Sequence, residues 1–311
     1  RAITGSAWGG DETCFRHAPQ EYGAIHFHDD DVVDFGWETD FSFMVPTTLP
    51  SGIYGISLET ADGDRDCVPL FVPPPKGQRT ADVCVLVPTL TYVVYGNHAR
   101  ADFGDGNDWR ERAAKWDAYP YNPHDFPEYG LSTYNRHSDG SGICFASHSR
   151  PLLTLRPGFV TFSPSCAGEG SGLRHLQADS HLDMWLRNYY KEPYDIVTDH
   201  DLHAEGAACL DGYAAVLTGT HPEYHTKGTL DALEQFRDRG GGLCYLGGNG
   251  FYWRVALGNN GLIEIRRGES GIRAWASCPG EYYQQLDGAY GGLWRRCGRP
   301  PQRLAGVGFT A

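Results

Sequence analysis

Residues 213–248 read YAAVLTGTHPEYHTKGTLDALEQFRDRGGGLCYLGG, and this stretch decides the fold class. Its first segment, YAAVLTGT, and its last, LCYLGG, have the length and apolar content of buried strands. Between them, a helical spacing places Leu230, Leu233 and Phe236 on one face, and the glycines at 240–242 end the helix. A strand, a helix and a second strand in this order predict a parallel sheet, which binds its ligands at the carboxyl ends of its strands.

Elements of the same kind lie on the N-terminal side of this unit. The run ADVCVLVPT (81–89) is nearly continuous and apolar, as expected of a strand that is buried on both faces. LRHLQADSHLDMWLRNYY (173–190) has the apolar spacing of a helix, and YDIVTD (194–199) predicts another strand. The loop-rich region 96–172 between these elements is long, and long loops in a compact domain are usually functional. We therefore predict an α/β domain over residues 77–311.

The N-terminal part of the chain has a different pattern, which predicts an all-β region over residues 1–76. LPSGIYGISLE (49–59) alternates like a strand, and DCVPLFVPPP (66–75) predicts a strand that three prolines end. DFGWETDFSFMVP (34–46) mixes aromatic and polar residues in runs of strand length. The proline-rich, polar segment PPPKGQRT (73–80) is the best candidate for a linker between two domains.

Charge and cysteine content narrow the class of partner and the compartment. The chain of 311 residues has a formal net charge of −13, which disfavours nucleic acid and anionic membrane surfaces as partners. Its apolar runs fall well short of the roughly 20 residues that a membrane span needs. None of the nine cysteines forms a CxxC pair, so reduced thiols are the simpler interpretation. We expect a cytoplasmic protein.

The segment His221-Pro222-Glu223-Tyr224-His225 follows a predicted strand directly and allows two interpretations. In the first, it is a helix entrance, because proline suits a first helical turn, glutamate favours the positive helix end and Thr226 is a plausible cap. In the second, Glu223 is a metal ligand and His221 an acid–base group at the carboxyl end of a parallel strand. The pattern alone leaves both open.

Two further segments combine tyrosines with turn residues. STYNRHSDGSG (132–142) is either a binding loop or a turn in which Asp139 bonds its own backbone. LTYVVYGNH (90–98) follows the first strand of the α/β domain, and its tyrosines Tyr92 and Tyr95 either pack in the core or face a site. Residue types alone do not separate these alternatives.

The fourth segment, YLGGNGFYWR (245–254), follows the last strand of the opening unit. Glycines at such a place let the backbone approach a ligand, and the GK[ST] element of a phosphate loop is missing. Asn249 is a suitable hydrogen-bond donor to a carbonyl oxygen. The aromatic residues at 251–253 either shape a small apolar pocket or pack as core residues beside a strand.

These motifs resemble one known family when they are taken in chain order. PLFVPPP, VCVLVPTLTYVVYGNH, GLSTYNRHSDGSG, TGTHPEYHT, LGGNGFYWR and GGLWRR look like the large (β) subunit of N,N-dimethylformamidase and its relatives, over roughly residues 40 to 311. The resemblance implies a β-sandwich-like region followed by an α/β domain with a glutamine-amidotransferase-like fold. It also implies a mononuclear iron that two tyrosines and one glutamate hold, a small α subunit and a larger assembly.

The resemblance assigns roles to individual residues. Tyr134 matches one tyrosine ligand, Glu223 the carboxylate ligand, and Tyr95 the second tyrosine, with Tyr92 as the alternative to Tyr95. His221 and Asn249 match residues that line the substrate pocket. The family also has an acidic active-site residue toward its C-terminal end, where LDGAYGGLWRR offers Ala289. On that alignment we expect another amide or a divergent activity rather than dimethylformamide hydrolysis itself.

The resulting hypothesis is metal-dependent hydrolysis of a small amide such as an N-alkylated formamide. Phenolate and carboxylate are hard donors that suit ferric iron, which acts as a Lewis acid on water and on the carbonyl. His221 then moves a proton and Asn249 orients the carbonyl oxygen. One alternative is a zinc hydrolase that uses His221, Glu223 and His225. Another is a non-catalytic binding or assembly protein with the same fold.

Overall fold

The computed structural model of the chain describes residues 3–4, 9, 17–24, 28, 31–98, 106–161, 173–268, 276–277 and 282–308. Its strands are β1 (Ile3–Thr4), β2 (Tyr22–Ala24), β3 (Gly52–Glu59), β4 (Arg65–Val72), β5 (Val83–Val87), β6 (Phe145–Ala146), β7 (Tyr194–Thr198), β8 (Ala215–Thr218), β9 (Tyr224–His225), β10 (Gly242–Cys244), β11 (Trp253–Leu257) and β12 (Ile263–Ile265). Its α-helices are α1 (Thr89–Val94), α2 (Gly106–Lys115), α3 (Leu176–Trp185), α4 (Asp199–Glu205), α5 (Lys227–Asp238) and α6 (Pro301–Ala305). Within these ranges no helix has the length and apolar content that a membrane crossing requires.

The central sheet has the strand order β10–β8–β5–β7, and all its neighbouring strands are parallel. This confirms the predicted parallel sheet. Its middle strand β5 alternates between two cores: Val85 and Val87 pack on one face, and Cys84 and Leu86 on the other. Because both faces are covered, every position of this strand favours an apolar residue, which is why its sequence is a continuous apolar run.

A second sheet, which we did not predict, has the order β6–β12–β11–β9. It is mixed, since β9 runs parallel to β11 while β12 is antiparallel to both β11 and β6. Strand β9 consists of Tyr224 and His225, so part of the HPEYH segment is extended. The interpretation of Pro222 and Glu223 as the first turn of a helix is therefore wrong. Thr226 does cap α5, because its side chain accepts a hydrogen bond from the Thr229 N–H at 3.1 Å.

The N-terminal region contains two small antiparallel sheets among its described residues, β1–β2 and β3–β4. Both strands predicted around residues 49–75 are present and pair with each other. The hairpin packs on the central sheet, where the Ser51 hydroxyl donates to Val72 O and accepts from Ile196 N. A β-sandwich-like fold for residues 1–76, a glutamine-amidotransferase-like fold for residues 77–311 and the division between them stay predictions.

The strand-length runs expected in residues 34–46 were a wrong prediction. Residues 31–51 form neither helix nor strand, and Phe41 and Met44 are 61% and 89% exposed. A strand requires a neighbouring strand to satisfy its backbone N–H and C=O groups. The alternation of aromatic and polar residues indicates a suitable face, but it does not supply that neighbour.

Candidate functional site

Glu223 lies between the end of β8 and the start of β9, and its side chain is almost completely buried, at 2% exposure. Its Oε2 atom accepts a hydrogen bond from the Tyr95 hydroxyl at 2.8 Å. The same oxygen lies 2.9 Å from Nε2 of His221. Three residues that the sequence singled out therefore meet at one carboxylate oxygen.

Helix α1 positions Tyr95. Thr91 and Tyr95 are four residues apart and lie on the same side of this helix, which ends at Val94 and has Tyr95 as its C-cap. The Thr91 hydroxyl oxygen accepts hydrogen bonds from the backbone N–H groups of Glu223 and Tyr224, at 3.2 and 3.4 Å. This pairing holds the helix end against the HPEYH segment, so the Tyr95 hydroxyl reaches the Glu223 carboxylate.

Tyr92, the alternative to Tyr95, points elsewhere. Its side chain is buried in the core, and its hydroxyl donates to the carboxylate of Asp179. Asp179 also accepts a hydrogen bond from the Thr220 N–H at 2.5 Å. Gly219 is required beside it, because a Cβ there would lie 2.8 Å from Asp179 Oδ2. The structure thus brings Tyr95 rather than Tyr92 to Glu223, while Tyr92 anchors the loop that carries His221.

Tyr134 joins the site from a loop. Its ring stacks on Tyr95 with centroids 4.2 Å apart and planes inclined by 17°. Its hydroxyl is hydrogen-bonded to the hydroxyl of Tyr224, which is fully buried. The neighbouring Thr133 hydroxyl donates to Val94 O at 3.0 Å and thereby ties the loop to the end of α1.

A buried arginine that our sequence reasoning missed lies behind these tyrosines. Arg267 follows β12 and is 1% exposed, with its guanidinium carbon 4.5 Å from the centre of the Tyr134 ring. It donates to Thr133 O at 2.7 Å and to the Tyr224 hydroxyl oxygen at 2.9 Å. Because Tyr224 accepts from a group that can only donate, its own proton is available for the Tyr134 oxygen.

The electrostatics of the site oppose ionisation of its phenols. Burial raises the pKa of Tyr95 well above its usual value, and the Glu223 carboxylate raises it further. Burial and Glu223 also raise the pKa of Tyr134, although Arg267 and the hydrogen bond from Tyr224 act in the opposite direction. The phenols are therefore neutral at pH 7 unless a cation binds between them and the carboxylate, which would favour their charged forms.

Three histidine rings border the tyrosines: those of His98, His175 and His221. His221 is partly exposed, and its ring lies edge-on to Tyr95 with centroids 5.9 Å apart. The ring of His175 packs on Tyr95 at 4.2 Å, and its Nδ1 is buried with no hydrogen-bond partner in the described part of the chain. Burial, followed by the proximity of His221, lowers the pKa of His175 well below its usual value, so this ring is neutral.

A cavity of about 20 Å³ lies against Tyr95, His98 and His175, enough for one water molecule. Sequence reasoning missed His175 because its segment, LRHLQADS, shows only the spacing of the helix that begins one residue later. No pattern in the sequence marks it or Arg267 as part of the site.

Asn249 lies in the loop after β10, with φ 51° and a partly buried side chain. The backbone of this loop is held against the HPEYH segment: Gly248 N–H donates to Thr220 O at 3.0 Å, and Phe251 N–H to Pro222 O at 2.8 Å. Gly247 permits the contact, since a Cβ there would lie 2.5 Å from Thr220 O. The structure therefore places Asn249 in a segment that runs beside His221.

The aromatic residues after this loop are core residues. Phe251, Tyr252 and Trp253 are 1%, 8% and 7% exposed and belong to the two hydrophobic clusters on either side of the sheet. Of the two interpretations that the sequence left open, the structure favours packing beside a strand.

Ala289 lies in a turn near the C-terminal end of the described chain. Its N–H donates to the Asp287 carboxylate at 3.0 Å, and its carbonyl oxygen accepts from Gln284 N–H at 2.8 Å. These contacts connect it to its own turn and not to Glu223 or the tyrosines. The position of a further acidic residue stays an open prediction.

The zinc alternative requires His225, and its ring is committed to other partners. Nε2 lies 3.0 Å from Pro222 O, which can only accept, so this nitrogen carries the proton, and Nδ1 lies 3.2 Å from the Thr229 hydroxyl. In the part of the chain that the structure describes, no three His, Cys, Asp or Glu side chains are grouped to hold a metal. The side chains that meet at the Glu223 carboxylate are Tyr95 and His221.

The buried His225 predicts a pH-dependent stability. Burial lowers its pKa from 6.5 to about 4. Above pH 6.5 both the folded and unfolded states are neutral there, so the full stability is present. As the pH falls toward 4, only the unfolded state binds the proton, and the free energy of unfolding should fall by about 3 kcal/mol from this group.

Urea unfolding of the wild type and His225→Gln at pH 7.5 and pH 4.5 measures this effect. Gln retains a donor for Pro222 O but does not titrate, so we expect the variant to lose less stability on acidification. All other titrating groups are common to both proteins and cancel in the difference. Equal losses in the two proteins would contradict the assignment.

A sequence model of the family described as N,N-dimethylformamidase beta subunit-like, C-terminal, matches residues 1–311. The N,N-dimethylformamidase beta subunit of Alcaligenes sp is 38% identical over 316 residues, and that of Paracoccus aminophilus is 38% identical over 322 residues. Each match covers 100% of this chain and 40% of the relative, so the chain spans two-fifths of the length of these curated relatives.

Proposed function

The chain belongs to the N,N-dimethylformamidase beta subunit-like family, and from this membership we propose that its buried site hydrolyses a small amide such as an N-alkylated formamide. Two relatives, each 38% identical, carry the name N,N-dimethylformamidase beta subunit. The observation that carries the proposal is the convergence of Tyr95, Tyr134 and Glu223 from three separate parts of the chain. We propose that these three residues hold a mononuclear ferric ion.

The donor set fits such a metal. Two phenols and one carboxylate are hard oxygen donors, and as anions they carry three negative charges that match a trivalent ion. Tyr95 already contacts Glu223 Oε2 at 2.8 Å and stacks on Tyr134, so little rearrangement separates the three oxygens from a common ion. Nδ1 of His175, beside Tyr95, is buried and has no hydrogen-bond partner among the described residues, which also supports a ligand site here. A ferric ion held by these residues would supply Lewis acidity toward an amide carbonyl and water.

Arg267 and Tyr224 support the ionised form of Tyr134. The guanidinium donates to Tyr224, and the Tyr224 hydroxyl is then oriented to donate to the Tyr134 oxygen. Both interactions act to lower the pKa of Tyr134. We propose that this chain of hydrogen bonds tunes the basicity of Tyr134 as a ligand, as partners of metal ligands commonly do.

His221 is the proposed proton carrier. Its Nε2 lies 2.9 Å from Glu223 Oε2, which as a carboxylate accepts, so that nitrogen holds a proton at the centre of the site. The ring is partly exposed, so it can exchange that proton with solvent. We assign it the transfer between the attacking water and the leaving amine, and we assign the Asn249 amide the orientation of the carbonyl oxygen.

Metal analysis with a visible spectrum on protein purified without chelators tests the proposal. We expect about one iron per chain and a tyrosinate-to-iron absorption band, since phenolate ligands transfer charge to ferric iron. A screen of small amides then identifies the substrate. Colourless, metal-free protein would overturn the proposal and favour a non-catalytic binding or assembly role.

Tyr224→Phe tests the supporting chain of hydrogen bonds. Without this hydroxyl, Tyr134 loses a donor, and the affinity for iron should fall by about 10- to 100-fold. The absorption band should also shift, because the energy of the Tyr134 phenolate changes. A chelator titration followed by visible absorption measures both quantities.

Tyr213→Phe is the matched control for Tyr224→Phe. It removes a buried tyrosine hydroxyl that donates to Asp195 at 2.8 Å, on the other hydrophobic cluster. We expect unchanged iron affinity and an unchanged band. If both variants lose iron affinity to the same extent, Tyr224 affects the site only through the stability of the protein and not through its hydrogen bond to Tyr134.

We also propose an assembly with further subunits. The relatives are named beta subunits, which supports association with at least one other chain, and the family resemblance suggests a small α subunit. Co-expression of the full-length protein with its candidate small subunit, followed by light scattering, tests this. A monomer that is unchanged by the small subunit would contradict it.

A further inference from the structure

A cavity of about 560 Å³ lies between the β3–β4 hairpin, helix α1 and the loop at residues 148–156. Pockets for small organic ligands typically range from about 300 to 1,000 Å³. Its wall is largely apolar and includes Val68, Leu70, Phe71, Leu152, Leu155 and, at its edge, the exposed Trp37. The proposed catalytic residues Tyr95, Tyr134, Glu223 and His221 are not part of this wall.

Helix α1 separates the cavity from the tyrosine–glutamate site. Thr91 and Tyr95 face that site, whereas Thr89, Tyr92 and Val93 line the cavity. These two sets occupy different faces of the same helix, as expected from their spacing. The cavity is therefore a second site that shares one helix with the first.

Arg150 is a polar residue of this wall whose hydrogen-bond donors are only partly used. It is 2% exposed, and its Nη1 donates to Leu131 O at 2.8 Å and to Val32 O at 3.3 Å. Its Nε and Nη2 atoms are buried and have no hydrogen-bond partner in the described part of the chain. These two N–H groups form one edge of the guanidinium, which is the edge that binds a carboxylate with two parallel hydrogen bonds.

Among the residues that the structure describes, no acidic side chain forms a salt bridge with Arg150. Burial lowers its pKa to about 10, while the more distant Asp31 carboxylate acts to raise it, so the side chain is a cation at pH 7. The Asp31 carboxylate itself lies 3.6 Å from Nε2 of His137. A buried cation that lacks a hydrogen-bonded anion is costly, and a bound anion would remove that cost.

The other polar groups of the wall fall into two kinds. Arg156 is already paired with Asp66 at 2.9 Å, and Asp201 accepts hydrogen bonds from Thr198. His200 differs: its Nδ1 lies 2.7 Å from the Thr89 hydroxyl, but its Nε2 is buried without a partner among the described residues. It is a second hydrogen-bonding group that a ligand can use.

We propose that this cavity binds a small organic carboxylate with an apolar, aromatic-sized body. The Nε–Nη2 edge of Arg150 has almost no accessible surface as it lies, so binding turns this edge toward the cavity, where it pairs with the carboxylate. The body packs on the apolar side chains of β4 and of the loop at residues 148–156. A neutral amide of the same shape cannot make two charge-assisted hydrogen bonds to that edge. The cavity thus selects for a negative charge and for an apolar body together.

Calorimetric titration of the full-length protein, with any subunit that co-purifies, tests this with benzoate and benzamide as probes. We expect benzoate to bind at least about tenfold more tightly than benzamide, because only benzoate carries the charge for the bidentate pair. Absence of benzoate binding would overturn the proposal. Equal binding of the two probes would overturn it as well.

Substitutions in the cavity wall test whether benzoate binds in this cavity. Arg150→Lys keeps the charge but loses the planar edge, so benzoate should bind about tenfold more weakly. Arg156→Lys, on the same wall but paired with Asp66, is the matched control and should change binding little. Val68→Phe places a larger side chain in the cavity wall and leaves Arg150 itself unchanged, so it provides the test if Arg150→Lys does not fold. Benzoate affinity that survives in Val68→Phe would contradict the location.

Glu223→Ala separates this site from the proposed metal site. A carboxylate could otherwise bind iron directly, and the titration would then report on the wrong site. We expect Glu223→Ala to bind benzoate like the wild type, whether or not the proposed hydrolase activity exists. Loss of benzoate binding in this variant would place the carboxylate at the metal and overturn the inference.

Discussion

Glu223→Gln should lose its iron and lower amide hydrolysis by about a thousandfold, while the protein still folds. The change removes the negative charge but keeps the shape, so it acts on the ligand set and not on packing. Lewis-acid activation contributes several kcal/mol, and each 1.4 kcal/mol corresponds to about a factor of ten in rate. Iron per chain, turnover of the amide found in the substrate screen and circular dichroism measure the three parts of this expectation.

Glu264→Gln is the matched control. Glu264 is also fully buried, but its carboxylate pairs with Arg266 at 2.7 Å and accepts from the N–H groups of Gln285 and Leu286. We expect this variant to retain iron and to lose about 1–3 kcal/mol of unfolding free energy, since it disturbs a buried polar network. Stoichiometric iron in Glu223→Gln would refute the assignment of Glu223 as a ligand. Glu223→Ala should behave in the same way as Glu223→Gln.

Tyr95→Phe and Tyr134→Phe should each lose iron, whereas Tyr92→Phe should keep it. The first two changes remove a proposed phenolate ligand, and we expect at least a tenfold loss of iron affinity together with loss or displacement of the visible band. In Tyr92→Phe the lost hydroxyl is the one that donates to Asp179. We therefore expect the free energy of unfolding to fall by about 1–3 kcal/mol without loss of iron. Chelator titration and thermal unfolding of the three variants separate these outcomes.

Tyr92 and Tyr95 are well matched for this comparison because they lie three positions apart, within and at the end of one short helix. A general effect of removing a tyrosine hydroxyl from α1 would appear in both variants. Iron that is lost in Tyr92→Phe and retained in Tyr95→Phe would show that the structure places the wrong tyrosine at Glu223. Retention of iron in all three variants would refute the tyrosine-ligand hypothesis as a whole.

Local patterns in the sequence were sufficient to predict the central sheet. The apolar run of β5 and the spacing of Leu230, Leu233 and Phe236 in α5 are properties of neighbouring residues, and the structure confirms both elements. The position of the HPEYH segment after a parallel strand was predictable for the same reason. The mixed second sheet was not, because two- and three-residue strands such as β9 carry too short a pattern to be recognised.

Local sequence patterns were not sufficient to identify the residues of the candidate site. The resemblance to a known family selected Tyr134 and Glu223 and left Tyr92 and Tyr95 as alternatives. Spacing within LTYVVYGNH could not distinguish them, since both residues are tyrosines and both belong to the same helix or its C-cap. The decision came from the direction of each side chain in the folded chain.

The sequence by itself determined the parallel sheet and the strand end at which the HPEYH segment lies, because these follow from hydrophobic periodicity over neighbouring residues. Only the tertiary structure decided that Tyr95 meets Glu223, 128 positions away, and that Arg267 meets Thr133, 134 positions away. It alone revealed the unpartnered edge of Arg150 in a cavity across α1. Contacts between distant segments depend on how whole elements pack, and no pattern within a single segment encodes that packing.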